Sequence, residues 1–208
     1  DVTVSTDVVL FSIRNERLEV LLIEKTPGLW WLPGGCMNAA EDLDASALHH
    51  LESQTGCQGV YLEQLYTFGR PERSPEKRVV SVAYYALVPW ERLPPLVQDR
   101  GLGWFAVLDL PVMALDHREM VAMAHRRLKA KLSYSTIALQ FMPGPFTLGQ
   151  LQTVYETILG EELDKRNFRK RVLALDCIED TRQVSRVGNH RPARLYRVKT
   201  PGRVEIFK

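Results

Sequence analysis

What the sequence lacks narrows its class first. No stretch approaches the roughly 18 consecutive apolar residues of a membrane-spanning helix. The first residues lack the charged-then-apolar pattern of a secretory signal, so no membrane partner is expected. Cysteine is scarce: Cys36, Cys57 and Cys177 are widely spaced and odd in number. That excludes a disulfide framework, and the missing CxxC pair removes the usual zinc signature. A reducing cytoplasm is the predicted setting. There is no internal repeat and no low-complexity tract. Neither a bound metal nor a cofactor is expected from these residues.

What is present is a globular composition with an uneven charge. The 208 residues are 45% hydrophobic and 25% charged, enough to bury a core. Residues 1–124 carry 10 Lys and Arg against 17 Asp and Glu, whereas residues 125–208 carry 17 against 8. An acidic part followed by a basic part predicts two jobs, the second with a polyanion as partner.

Residues 7–13 and 18–24 are β-rich runs around a polar turn and predict a hairpin. Pro27-Gly28 and Pro33-Gly34-Gly35 mark loops. Residues 44–55 predict a helix with Asp44 as cap, Leu48 and Leu51 on its apolar face, and Gly56 after its end. Strands are expected over 60–68, 79–88 and ending at 104–105, with a polar loop at 69–77 and a helix over 116–131. Asp116-His117 at its start can cap that helix or line a pocket, and the cap is the favoured reading. Residues 133–140 read as a linker or short strand. The pattern then changes to helices over 147–159, capped by Thr147, and 165–175, followed by strands over 176–181 and 194–198. The chain is expected to divide into domains 1–136 and 137–208.

The segment from Gly35 to Cys57 carries a spaced pattern. Gly35 is followed at six residues by Glu41, and Leu51, Gly56 and Cys57 complete an apolar-Gly-apolar ending without a gap. With Leu32-Pro33-Gly34-Gly35 just upstream, the segment resembles the box of the Nudix family over roughly the first 130 residues. That resemblance implies a mixed strand-and-helix α/β/α domain. In the family's box three glutamates at i, i+3 and i+4 share a helix face and gather divalent cations for diphosphate cleavage. Here those positions are His50, Ser53 and Gln54, and the box arginine is His49. Glu52 lies about 100° around the helix from Ser53, and Glu41 alone is a poor magnesium site. The expectation is a domain with no catalytic residues. The alternative is a Nudix hydrolase of ADP-ribose with a rearranged metal site. A fold can lose catalysis and keep a ligand pocket. Trp31, Phe68, Arg70 and Arg73, with Trp30, are the candidate effector contacts, because aromatics stack on a base and arginines grip phosphate.

In the basic part, the helix over 165–175 has Phe168, Val172 and Leu175 at i, i+4 and i+7. That stripe leaves a positive face suited to a major groove. Arg166 and Asn167 are candidate base contacts, and Lys165, Arg169, Lys170 and Arg171 candidate phosphate contacts. After it, Arg182, Arg186, His190, Arg191 and Arg194 crowd a loop between two strands, the shape of a wing. RNA binding is a third reading of the same basic surface.

Taken whole, the chain resembles the Nudix-related transcriptional regulators of NAD metabolism, the NrtR family. The degenerate box, Phe146-Thr147-Leu148, Asn167-Phe168-Arg169-Lys170-Arg171 and Arg191-Pro192-Ala193-Arg194-Leu195-Tyr196 carry the likeness. It implies an α+β architecture with a winged helix-turn-helix at the C-terminus. It also implies a bacterial repressor of NAD biosynthesis or salvage genes. Such a repressor binds palindromic operator DNA as a homodimer and is released by ADP-ribose or a related nucleotide.

Overall fold

A computed structural model describes residues 1–95, 101–185 and 192–207. The chain divides into two compact units. The first holds residues 1–12, 18–88 and 93–127; the second holds 13–17, 89–92 and 128–208.

The first unit is built on a mixed sheet. Its strands are β1 (Thr3–Arg14), β2 (Arg17–Thr26), β3 (Leu29–Trp31), β4 (Gly34–Cys36), β5 (Tyr61–Phe68), β6 (Val79–Leu87) and β7 (Leu102–Ala106). The order is β3-β2-β1-β6-β5, with β4 paired to β1 and β7 to β2. Strands β1 and β6 run parallel, while β4 and β5 are antiparallel to them. β1 is central, and Val8, Val9, Leu10 and Phe11 are all fully buried, so both its faces are covered. The expected β1–β2 hairpin is present. Its two turn residues, Asn15 and Glu16, both have positive φ, the backbone that matches strand twist in a two-residue hairpin.

The helix α1 (Leu43–Thr55) lays Ala47 and Leu51 on Val8, Leu10, Leu21 and Tyr84. Burying a leucine such as Leu51 contributes about 1.5–3 kcal/mol. Three local expectations change. Asp42, not Asp44, caps α1, accepting the amide of Ala45 at 2.8 Å. Asp44 instead accepts the hydroxyl of Tyr84 at 2.6 Å. Leu48 is 42% exposed, because the buried stripe runs through Ser46, Ala47, Leu51 and Thr55. Strands β3 and β4 were read as loop. With three residues each, they are too short to show alternation, and their pairing to β2 and β1 makes them strands.

The helix α2 (His117–Leu132) is one continuous element, and the unit division falls within it. In the second unit, α3 (Leu148–Leu159) and α4 (Lys165–Ala174) precede a hairpin of β8 (Ile178–Ser185) and β9 (Ala193–Val198). Phe146 exchanges both backbone hydrogen bonds with Tyr196, tying the start of α3 to β9. Phe146, Leu151, Tyr155, Ile158, Phe168 and Val172 are buried, with the Tyr155 and Phe168 rings edge to face at 5.2 Å. Residues 137–141, expected as linker or strand, form a 3₁₀ turn with Ile137 and Phe141 buried.

Thr147 opens α3 with a full capping box: its hydroxyl accepts the Gln150 amide, and the Gln150 side chain accepts the Thr147 amide. Thr147→Ala removes the first of these bonds. It is expected to lower stability by about 1 kcal/mol, read as a shifted urea midpoint with an unchanged slope.

Candidate functional site

A cavity of about 550 Å³ opens beside β1, β3 and β4. That is the size of a site for a drug-sized or nucleotide-sized molecule. Its walls include Asp7, Lys25, Trp31, Arg73, Lys77 and His117. The close approach of β4 to β1 shapes one side. A side chain at Gly34 would put Cβ 2.4 Å from both Asp7 Oδ1 and the Thr6 carbonyl, so only glycine fits.

Beneath the cavity lies a buried polar network. Arg73 donates two hydrogen bonds to Asp116, at 2.8 and 3.0 Å, and its guanidinium stands 4.0 Å from Asp7. Ser81 donates to Asp7 at 2.5 Å. His117 Nδ1 accepts the amide of Leu32 at 3.0 Å, which places the ring proton on Nε2, 3.7 Å from Asp7 Oδ1. The side chain of Arg73 is only 3% exposed. Asp116 therefore differs from its expected role. Its backbone carbonyl takes the amides of Glu119 and Met120, while its carboxylate is turned to Arg73.

Burial is the main reason the His117 imidazole titrates below its ordinary range; Arg73 and Lys25 add to this, and Asp7 and Asp116 oppose it. The folded protein thus resists protonating His117, while the unfolded chain accepts a proton near pH 6.5. Below that pH the unfolded state binds more protons, and stability falls by up to about 1.4 kcal/mol per unit. Urea titrations at pH 7.5 and 5.5 are expected to show this loss. In His117→Asn the pH-dependent part should shrink; an unchanged pH slope would show that other groups cause it.

The candidate effector contacts separate in space. Trp31 and Arg73 line the cavity. The Trp31 ring meets His117 edge to face at 5.5 Å, and Lys25 Nζ sits 5.2 Å from its centre. The Trp31 indole N–H is buried and has no hydrogen-bond partner among the described residues. Trp30 instead packs on Phe105 at 4.6 Å. Phe68 is buried at the end of β5 against Tyr66, away from the cavity lining. Arg70 is exposed and paired with Glu119. Lys25 and Lys77 carry no signal in the sequence, since they are far apart in the chain and belong to no motif, whereas His117 lines the cavity as the second reading of Asp116-His117 has it.

The box positions are tied to the neighbouring loop. Gln54 clamps Gly34, donating to its carbonyl at 2.9 Å and accepting its amide at 3.0 Å. His50 Nε2 meets the Cys36 carbonyl at 3.0 Å, and a Cβ at Gly35 would stand 2.8 Å from its ring, which would have to shift. Ser53 donates weakly to the His50 carbonyl, and His49 pairs with Glu41 at 2.7 Å. Glu52 accepts from Gln58. Among the described residues, no three His, Cys, Asp or Glu side chains converge as a metal set.

In the second unit, α3 and α4 form a helix-turn-helix. Glu156 ties the turn by accepting the Leu163 amide at 2.8 Å, and Asp164 caps α4 through the Asn167 amide. Lys165, Arg166, Asn167, Arg169 and Lys170 are exposed around the buried stripe of Phe168 and Val172. Arg171 is engaged within its own unit. It donates to the carbonyls of Leu132 and Ser133, both at 3.2 Å, and lies over the Phe207 ring. Arg194 is exposed on β9 and paired with Asp180 at 3.0 Å. Arg186, His190 and Arg191 lie outside the described residues. Among the described residues no helix is long and apolar enough to cross a membrane.

Comparison with known proteins covers both units. Residues 4–127 match the NUDIX domain, and residues 138–198 match the NrtR DNA-binding winged helix domain. The chain is 33% identical to the ADPR responsive transcriptional repressor NtrR of Acinetobacter baylyi, over 93% of this chain and 80% of that protein. The crystal structure of Shewanella oneidensis NrtR complexed with a 27mer DNA superposes with a TM-score of 0.86 at 33% identity, covering 94% of this chain and 93% of that one. The NUDIX domain of the same Shewanella protein, complexed with ADP ribose, matches with a TM-score of 0.52 at 30% identity, over 62% of this chain and 89% of that one.

Proposed function

The chain belongs to the NrtR family of Nudix-related transcriptional regulators, and on that premise we propose that it is a repressor whose DNA affinity is set by a nucleotide of the ADP-ribose class. The observation that carries the reading is the exposed basic face of α4, held on a helix-turn-helix and followed by a hairpin. Arg166 and Asn167, in the first turn of α4, read base edges. Lys165, Arg169 and Lys170 hold phosphates. Palindromic operators in genes of NAD biosynthesis or salvage, read by a homodimer in the cytoplasm, complete the proposal. The domains act as 1–136 for the effector and 137–208 for DNA.

The effector enters the cavity of the first unit. Trp31 offers a ring face, and Lys25 and Lys77 offer charge for a diphosphate. Arg73 contributes field and shape from below, since two of its donors are held by Asp116 and its side chain is buried. For the effector to release DNA it must bind the free conformation more tightly than the DNA-bound one.

Hydrolysis is not part of this reading. Magnesium needs hard oxygen ligands. His50, Ser53 and Gln54 supply an imidazole, a hydroxyl and an amide, and two of these are already bonded to the loop. The residues do not fit that ion.

The test is a mobility-shift titration on DNA upstream of the protein's own gene, with and without ADP-ribose, beside an assay for magnesium-dependent AMP release. Sequence-selective binding weakened by ADP-ribose, with no AMP formed, is expected. Absence of any sequence preference would sink the regulator reading, and steady AMP release would restore the hydrolase.

A further inference from the structure

The hairpin of the second unit carries an irregularity. Asp180 pairs with Tyr196 and Val184 with Arg194, so residues 181–183 on β8 stand opposite the single Leu195 on β9. Such a bulge breaks the alternation of a strand and re-aims the side chains within it.

The bulge is closed by its own side chains. Asp180 Oδ1 accepts the Arg182 amide at 2.7 Å. Thr181 Oγ1 accepts the Gln183 amide at 3.2 Å and donates to the Leu195 carbonyl at 2.8 Å. Two backbone N–H groups of the bulge, those of Arg182 and Gln183, are thereby satisfied, which marks a formed element rather than a loose loop. The second oxygen of Asp180 accepts a hydrogen bond from Arg194 Nη1 at 3.0 Å. One carboxylate therefore holds the backbone at Arg182 and the guanidinium of Arg194 together.

Arg182 sits in this bulge with φ +63°, in the left-handed region. Glycine or asparagine adopts that backbone with less resistance than arginine. The charges around it differ in a telling way. On the described part of the hairpin and just after it, Arg194, Arg197 and Lys199 are each paired, with Asp180, Glu179 and Asp176. Arg182 is exposed, and among the described residues no carboxylate pairs with it. An unpaired guanidinium at a re-aimed position, on the basic unit, is placed for a partner that supplies its own negative charge.

We propose that Arg182 contacts a DNA phosphate from the hairpin, and that Asp180 is the positioning residue that presents Arg182 and Arg194 for DNA binding. The proposal rests on the reading of this unit as a DNA-binding winged helix. Asp180 adds specificity as well as order. Its charge opposes indiscriminate binding to phosphates, while its geometry favours the one register in which both arginines are satisfied.

The test uses the full chain, a duplex selected by the wild-type protein from a randomised palindromic library, and a scrambled duplex of equal length. Asparagine keeps the left-handed backbone, so Arg182→Asn should leave the melting temperature unchanged. It should weaken both duplexes about equally and reduce the slope of log affinity against log salt by about 1. Arg182→Lys should restore the slope. Asp180→Ala should weaken the selected duplex while strengthening the scrambled one, a split that a loss of folding alone does not produce. Asp180→Asn, which keeps the Oδ1 acceptor for the Arg182 amide but puts a donor where Arg194 needs an acceptor, should recover only part of the selected binding. If Arg182→Asn lowers the melting temperature, Arg182→Gly removes the same charge at a position glycine favours and must show the same slope change. Wild-type slope and affinity in either variant overturn the proposal while the winged-helix reading stands. A wild-type protein that selects no duplex overturns both.

Discussion

Arg73→Ala is expected to cost about 3–5 kcal/mol of stability, a large share of the total for a unit of this size. The guanidinium is buried, bonded twice to Asp116 and 4.0 Å from Asp7. Removing it leaves two carboxylates beneath the cavity without their positive partner. The cost comes less from the bond lost than from the charge left without its partner in a largely buried place. That distinction has its own control. In Arg73→Met with Asp116→Leu, the ion pair is replaced by apolar volume, and much of the loss should return, because a buried pair is often no better than well-packed hydrocarbon. Urea unfolding of the three proteins measures it. A loss below about 1 kcal/mol for Arg73→Ala would mean that the network behaves as a solvated surface pair. Arg73→Lys should also be costly, since an ammonium cannot reproduce the two parallel bonds.

DNA affinity should fall by roughly 10³–10⁵ between 50 and 200 mM salt if a dimer makes about six to ten phosphate contacts. Each copy offers Lys165, Arg169 and Lys170 on α4, with Arg194 on the hairpin. Arg171 is not expected to add to the slope, because its guanidinium is already donated to the Leu132 and Ser133 carbonyls. Arg171→Ala should therefore change stability more than the salt slope, whereas Lys170→Ala should lower the slope by about 1 with little change in stability. Arg166→Ala should act differently again, relaxing discrimination at one base position by about 1–3 kcal/mol. Fluorescence anisotropy over a salt series separates these outcomes. A shallow slope in the wild type would assign the basic surface to solvation.

Several features were legible because they are local. The cap at Thr147, the glycine Gly56 after its helix, the stripe of Phe168 and Val172, and the turn at residues 15 and 16 all depend on residues a few positions apart. The uninterrupted spacing from Gly35 to Gly56 also placed His50, Ser53 and Gln54 on one helix before any coordinates. Shorter or competing signals misled. Asp42 and Asp44 are both good caps, and only the hydroxyl of Tyr84, forty residues away, draws Asp44 aside.

By itself, then, the sequence determined the α+β class, the Nudix-like register with its altered box, and the basic helix-turn-helix, because periodicity, capping and spacing act within one or two turns of chain. Only the tertiary structure decided what those residues touch. Ser81 reaches Asp7 across 74 positions and Arg73 reaches Asp116 across 43. Gln54 clamps a glycine twenty residues earlier, and Arg171, exposed like the other cations of its run, reaches the Leu132 carbonyl across 39 positions. Charge alone looks the same along that helix. Which cation faces DNA, and which braces the domain, depends on where the carbonyls and carboxylates of distant segments come to rest.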